Sequence, residues 1–345
     1  MNRLLTALVG AISLTGLAAE SVSAQQVESP GRDGTTGAEH MLLPVTARSA
    51  ALSTAYAGGL ATISGLEALQ ANPAALTVNT GTNVMFSRME YVADIGVNYV
   101  GIAQRAGSNH FALTVTAWDF GDIERTLESD PTPDVYETYD APIVMVGASY
   151  ARQLTDRISA GLTGKLSSET IDNMQSNYVA FDAGMTYVVG ESGLRFGVSL
   201  KNFGPQMVFG GTGLEVDVPL EDNTEGIAGN IDAASQELPS MLNFGASYTR
   251  DFAQGLSASV LGNFRSNSSS ADQYSGALEI GYQNLVFIRG GFELRDDMDL
   301  TFYEGWNVGG GVNYDLGGIR LSADYAYRPV QYFDGVNLFT ASVTL

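Results

Sequence analysis

The chain has 345 residues, is 45% hydrophobic and only 16% charged, contains no cysteine and carries a net charge of −21. The missing cysteines exclude a disulfide framework and thiolate metal sites. The acidity excludes nucleic-acid binding, which needs cationic patches. With two histidines, His40 and His110, there is little material for a zinc site or a Ser-His triad.

In chain order, MNRLLTALVGAISLTGLAAESVSA reads as a secretory signal peptide (1–24). Arg3 supplies the positive end, Leu4 to Ala18 the apolar stretch, and small residues precede a cleavage near Ala24. Residues 25–40 are polar and Gly-rich and are expected to be a mobile leader. Residues 41–80 are rich in Ala, Gly and Ser, with a short helix expected from Arg48 to Ala57 and a turn at Asn72-Pro73.

From Thr82 the apolar period becomes two, the signal of strands. Fourteen are expected: 82–91, 94–104, 109–119, 141–152, 157–168, 177–189, 193–203, 239–250, 255–265, 273–283, 285–295, 303–315, 318–328 and 335–345. Most reach ten to thirteen residues, beyond the ~5–6 of ordinary strands and matching the ~9–11 that cross a bilayer. The connections alternate. Every second one is short (105–108, 153–156, 190–192, 251–254, 284, 316–317). Between them lie longer ones (120–140, 169–176, 204–238, 266–272, 296–302, 329–334), with 92–93 the exception. Tight turns on one side and long loops on the other mark an outer-membrane, antiparallel up-and-down β-barrel. The even count brings both barrel ends to the periplasmic side. Tyr and Trp near strand ends, such as Tyr91, Trp118, Tyr187, Trp306 and Tyr327, suit interfacial girdles.

One face of each strand is apolar and the other polar. In a membrane barrel the apolar face meets lipid. The polar face then places Asp182, Arg195, Glu279, Arg289, Glu293, Arg320 and Asp324 in the lumen as candidate ion pairs, together with Lys201 and Arg295. A fourteen-stranded lumen is wider than side chains alone can fill. Residues 41–80 are therefore expected inside it as a plug, held by those pairs. His110 is read as a hydrogen-bonded lumen filler.

The segment ARSAALSTAYAGGLATISGLEALQANPAAL, followed by a barrel of this length, resembles the PorV/PorQ family of outer-membrane proteins. More distantly it is similar to FadL-type fatty-acid transporters. The features shared are Arg48, the small-residue run Ala50–Ala57, and the corner Asn72, Pro73 and Ala74. GVSLKNFGPQMVFGG (197–211) and ELPSMLNFGASY (237–248) are similar to the family's mid-barrel segments. The resemblance implies a plugged fourteen-stranded barrel without enzymatic activity or cofactor. Its PorV branch implies type IX secretion, in which secreted cargo proteins and components of the secretion machinery are the partners. Its FadL branch implies passive passage of hydrophobic solutes. The chain ends in Leu345 where such barrels usually end in an aromatic residue. The alternation Phe339, Ala341, Val343, Leu345 survives, so insertion by the barrel-assembly machinery is expected.

Two long loops are strongly acidic. Residues 119–141 hold eight acids and one Arg, and 204–238 hold seven acids and no base. Their apolar residues Ile123, Leu127, Val135, Tyr136, Met207, Val208 and Phe209 are candidates for docking a secreted partner. No spacing matches a calcium loop, so no metal site is assigned. A secretion barrel should show a concave outer surface built by these loops. A solute transporter should show an apolar route and a kink in the wall.

Overall fold

Period-two segments rich in Val, Phe, Tyr and Thr form strands because a pleated ribbon sends alternate side chains to opposite faces. In the computed structural model, which describes residues 36–60, 63, 65–126, 132, 137–220, 223–295 and 302–345, fourteen such segments close into one antiparallel barrel. The barrel strands are β1 Thr82–Glu90, β2 Gly96–Ala106, β3 Asn109–Asp119, β6 Ile143–Gln153, β7 Ile158–Ile171, β8 Met174–Val188 and β9 Leu194–Phe203. They continue with β12 Met241–Asp251, β13 Leu256–Asn267, β14 Gln273–Tyr282, β15 Val286–Arg295, β16 Trp306–Leu316, β17 Ile319–Arg328 and β18 Val336–Thr344. Each pairs with the next barrel strand in the chain, and β18 returns to β1. At that closure Asn83 lies opposite Thr344 and Glu90 opposite Asn337. Thr82 and Leu345 exchange both backbone hydrogen bonds, at 3.1 and 2.8 Å.

Among the described residues, four further strands lie outside the barrel. β4 Ile123–Arg125 pairs with β5 Glu137–Tyr139, and β10 Glu215–Leu220 pairs with β11 Asn223–Asn230, so both acidic loops contain small hairpins. Residues 169–176, expected to be a loop, instead continue the β7–β8 ladder as far as Ile171 and Met174. Only Asp172 and Asn173 turn, with Asp172 at positive φ. The connection expected at 92–93 spans 91–95, where Ala93 and Asp94 both take positive φ. The signal-peptide segment lies outside the described residues.

The two faces separate as the alternation requires. Along β15, Ile288 is 69% exposed whereas its neighbour Arg289 is 4% exposed. Along β8, Val179, Phe181, Met185 and Tyr187 face out while Asp182 is buried. A belt of Leu, Val, Ile and Phe exposed on every wall of a closed sheet is what hydrocarbon, not water, accommodates.

The plug occupies the lumen and begins earlier than expected. Residues 36–40, assigned to the mobile leader, are packed in place. Thr36 bridges Glu237, and Glu39–Leu42 forms a 3-10 turn at the long-loop end. This segment is held because Ala38 and Met41 bury against Tyr178, Met207 and Leu238. A helix at Ala47–Ala51 then lies against β15–β18. A second helix, Gly65–Ala68, leads to Asn72, which starts a 3-10 helix at Pro73–Val78 packed on β6–β8. The expected helix from 48 to 57 thus stops after one turn, at Leu52. Ser53 and Thr54 take positive φ, and Ser53 sits over Gly291 of the wall.

Candidate functional site

The plug meets the wall where the wall has no side chains. Gly161 and Gly184 pair across β7 and β8, and Gly197 and Gly245 pair across β9 and β12. A Cβ on Gly161 would lie 2.5 Å from the Pro73 carbonyl carbon, and one on Gly197 would lie 2.0 Å from the Ala57 carbonyl oxygen. Backbone therefore packs on backbone, and Asn72 joins the two. Its amide donates to the carbonyls of Ala57 (2.8 Å), Met185 (3.0 Å) and Val198 (3.2 Å), while its Oδ1 accepts from the Ala74 amide at 3.0 Å. Asn72 thereby caps the 3-10 turn that Pro73 and Ala74 open. The side-chain cap on a Pro-initiated turn gives the physical reason for those residue types.

On the opposite wall an ionic lattice holds the first helix. Arg48 contacts Glu279 at 2.7 Å and Glu67 at 3.7 Å, and Arg289 contacts Glu279 at 2.6 Å and also pairs with Asp324. Phe287 lies beneath both guanidinium groups, 5.7 and 5.2 Å from them. Charges buried this deeply are tolerated only when paired and hydrogen-bonded.

The other expected lumen residues divide. Asp182 pairs with Lys165 at 2.7 Å and accepts from the Asn202 amide at 2.8 Å. Here β9 bulges against β8, with Asn202 at positive φ and both Lys201 and Asn202 buried. Glu293 pairs with Arg328 at 3.1 Å. Arg195 is half-buried and makes no ion pair among the described residues. Arg320 pairs with Asp315 at 2.9 Å, but both are more than half exposed at the short-turn rim, away from the plug. His110 is buried, and among the described residues its Nδ1 has no hydrogen-bond partner, so the filler role expected of it comes without that bond.

The docking candidates are not gathered on one outer surface. Met207 is 1% exposed and Phe209 packs against its cluster, so both face the plug's start. Ile123 lies half-buried in the β4–β5 hairpin. Leu127 and Tyr136 lie outside the described residues, as does Val135.

At the long-loop end, above the plug, a cavity of about 440 Å³ opens. One side is aromatic. Tyr91 meets Trp118 edge-on at 6.1 Å and Phe302 at 6.3 Å, and Phe302 meets Tyr303 at 5.2 Å. Tyr303 donates to the Tyr91 hydroxyl at 3.2 Å. The other side carries Arg265, Arg295, Arg328 and Glu293. Arg328 lies 4.1 Å over the Tyr303 ring. Arg265 donates to Asn243, Gln273 and Thr54, all neutral acceptors, at 3.1, 3.3 and 2.7 Å. His40 closes the floor, 3.3 Å from Glu169 and edge-on to Trp118 at 5.7 Å. Burial holds the His40 imidazole down at about 4, with Lys165 adding to the effect, so at neutral pH the ring beside Glu169 is uncharged. An aromatic wall facing a few fixed polar groups is the composition of a small-molecule site.

The sequence reading put Glu279 and Asp324 on the lumen face and Arg48 in the plug, but it missed Glu67, Lys165 and Arg328 as the completing charges. It also missed the cavity, because Tyr91 and Phe302 come from two separate connections and Trp118 from the end of β3. Their only signal was their position at strand ends, where a girdle explains them equally well.

No protein-family model matches the chain, and no curated protein matches it. Solved structures do. The toluene transporter TodX of Pseudomonas putida is similar with a TM-score of 0.50 at 12% identity, over 85% of this chain and 96% of that one. A FadL homologue of Pseudomonas aeruginosa has a TM-score of 0.49 at 12% identity, over 88% and 98% of the two chains. The Ralstonia pickettii toluene transporter TbuX has a TM-score of 0.45 at 14% identity, over 80% and 92%. The likeness to TodX is one of fold.

Proposed function

We propose that this protein is an outer-membrane barrel that takes up small hydrophobic molecules from the long-loop side. The observation that carries the reading is the cavity walled by Tyr91, Trp118, Phe302 and Tyr303 and faced by arginines. Its volume of about 440 Å³ suits a ligand of modest size, since such sites run ~300–1,000 Å³. The lipid-facing belt and the parity of the connections support the membrane setting, with the tight turns in the periplasm. TodX, which shares the fold, is a toluene transporter, and that analogy adds support without replacing the site argument.

Type IX secretion is the second reading, and it rests on the sequence resemblance. The inward packing of Met207 and Phe209 weighs against it, because they supply no outer docking surface. Cargo proteins and secretion-machinery components remain proposed partners under that reading, and the barrel-assembly machinery is a proposed partner for insertion under either.

Trp118 lies in the cavity and Trp306 is the other tryptophan of the chain, so a Trp306→Phe variant reports on the site alone. Titration of that variant in detergent with toluene and with a medium-chain carboxylate should give a saturable change in Trp118 emission. Tyr303→Ala should weaken it about tenfold, the loss expected when one aromatic contact worth ~1 kcal/mol and its buried area are removed. Absence of a saturable response to either ligand would overturn the uptake reading. If, in addition, deletion of the gene abolished surface display of secreted proteins, the secretion reading would replace it.

A further inference from the structure

The outer wall over β6–β9 is not an even belt. Its lipid-facing positions include Ala148, Ala160, Gly164 and Ala183, flanked by the bulky Tyr150, Leu162 and Met185. The small residues leave a groove of about 870 Å³ at the short-turn end, and it adjoins a second of about 480 Å³ that shares Tyr150, Leu162, Ala183 and Leu200. Almost all of the lining is apolar, and Arg152 stands at its short-turn end.

The dimensions are those of one leaflet. From Ile158 to Gly164 the groove follows β7 for about 20 Å, at ~3.3 Å per residue. With a strand tilt of ~45°, that is roughly 14 Å of depth, about half of a ~30 Å hydrocarbon core. The groove therefore starts at the periplasmic interface and stops near the midplane.

The charge at its foot is unusual for this chain. The short-turn rim carries Arg105, Arg152, Arg157, Arg250 and Arg320 against Asp156, Glu191, Asp251 and Asp315, a near balance in a protein of net charge −21. Arg152 is exposed and forms no ion pair among the described residues. Beside it, Tyr150 donates to Asn109 at 2.8 Å, which places a polar tip at the same level. An arginine at the interface beneath an apolar trough is complementary to one molecule with an anionic head and a hydrocarbon tail.

We infer that the β6–β9 groove is a binding site for a phospholipid of the periplasmic leaflet, whose acyl chain fills the trough over Ala183 and Gly164 and whose anionic headgroup pairs with Arg152. The inference rests on the membrane orientation given above but not on solute uptake. A second copy of this chain would need matching bulk to fill the trough. The single-leaflet depth and the lone charge at one end favour a lipid.

The test is native mass spectrometry of the delipidated protein, with dioleoyl phosphatidylglycerol or dioleoyl phosphatidylethanolamine added in equal amounts. The wild type should retain one lipid and prefer the glycerol headgroup. Arg152→Ala should reduce that preference about fivefold, the effect of one arginine at an anionic surface. Ala183→Phe should abolish retention of both lipids by filling the trough. Ala323→Phe, an equal substitution on the lipid face of β17, should leave retention intact and controls for folding. Unchanged retention in Ala183→Phe, or unchanged headgroup preference in Arg152→Ala, would overturn the inference. So would a wild-type dimer that Ala183→Phe dissolves. The Trp118 titration should be unaffected in Arg152→Ala and Ala183→Phe, so loss of the lipid site and failure of the uptake reading give separate results.

Discussion

Replacing Asn72 by Ala should release the plug without unfolding the barrel. The Asn72 amide serves three carbonyls, two of them the register partners Met185 and Val198 on adjacent strands, and its Oδ1 caps the turn at Ala74. Loss of the cap costs about 1 kcal/mol. Each of the other bonds is worth ~0.5–1.5 kcal/mol, and the amide's two protons serve the three carbonyls, so about 2 kcal/mol is added. The total of about 3 kcal/mol falls on the docked plug, because the strand ladders on both sides remain. At ~1.4 kcal/mol per decade, the undocked population rises about a hundredfold. Hydrogen exchange read at residues 72–79 should accelerate by that factor while exchange in β7 and β8 stays unchanged. In planar bilayers the variant should show frequent conductance openings where the wild type shows few. Asn72→Asp should be at least as severe, since it turns a carboxylate toward three carbonyls. If Asn72→Ala exchanged at the wild-type rate around Ala74, the claim that this side chain stitches plug to wall would be wrong.

Two other substitutions test the remaining contacts. Glu279→Gln removes the carboxylate shared by Arg48 and Arg289 and should lower stability by about 3 kcal/mol, the low end for breaking a buried ion pair, because each arginine keeps another acid. Arg320→Ala at the exposed rim should change it by less than about 1 kcal/mol. The temperature at which the band shifts on heated gels measures both. For His40, the unfolded ring takes up its proton near pH 6.5 and the folded ring only at about 4. Between those values the unfolded ring holds more protons, so the His40 contribution to stability falls as the pH is lowered through the window, by about 3 kcal/mol, while Glu169, raised by burial, contributes with the opposite sign. His40→Gln should flatten that part of a melting-temperature profile between pH 7 and pH 4, and an unaltered slope would show that another group is responsible.

The barrel was legible because its signal repeats. Ten-residue alternation cannot slip by one position without turning Ile288 inward and Arg289 into lipid, so strand number and facing follow from pattern alone. Strand ends were less legible where the pattern runs past the membrane, as in Ile171 and Met174. The plug's Arg48 stands out only through the family resemblance, whereas its corner stands out as an Asn-Pro pair. Their partners could not, since Glu279 lies 231 residues from Arg48 and meets it only after closure. Residues 36–40 misled because their polarity is that of a mobile tail, whereas Ala38 and the adjoining Met41 bury against Tyr178, Met207 and Leu238. Met207 misled in the opposite sense, as an apolar residue in an acidic loop that proves to be buried.

The pairing of β1 with β18 has a consequence for how the molecule must be made. Closing a chain loop of about 260 residues costs on the order of 5 kcal/mol in entropy, recovered only when the terminal ribbon zips along its whole length. Until Leu345 reaches Thr82, both flanks of the growing sheet present unsatisfied amides, and no shorter portion hides them. Closure is therefore the step that satisfies both flanks together. Loss of β18 would remove two ladders, those with β1 and β17, and leave both flanks uncovered.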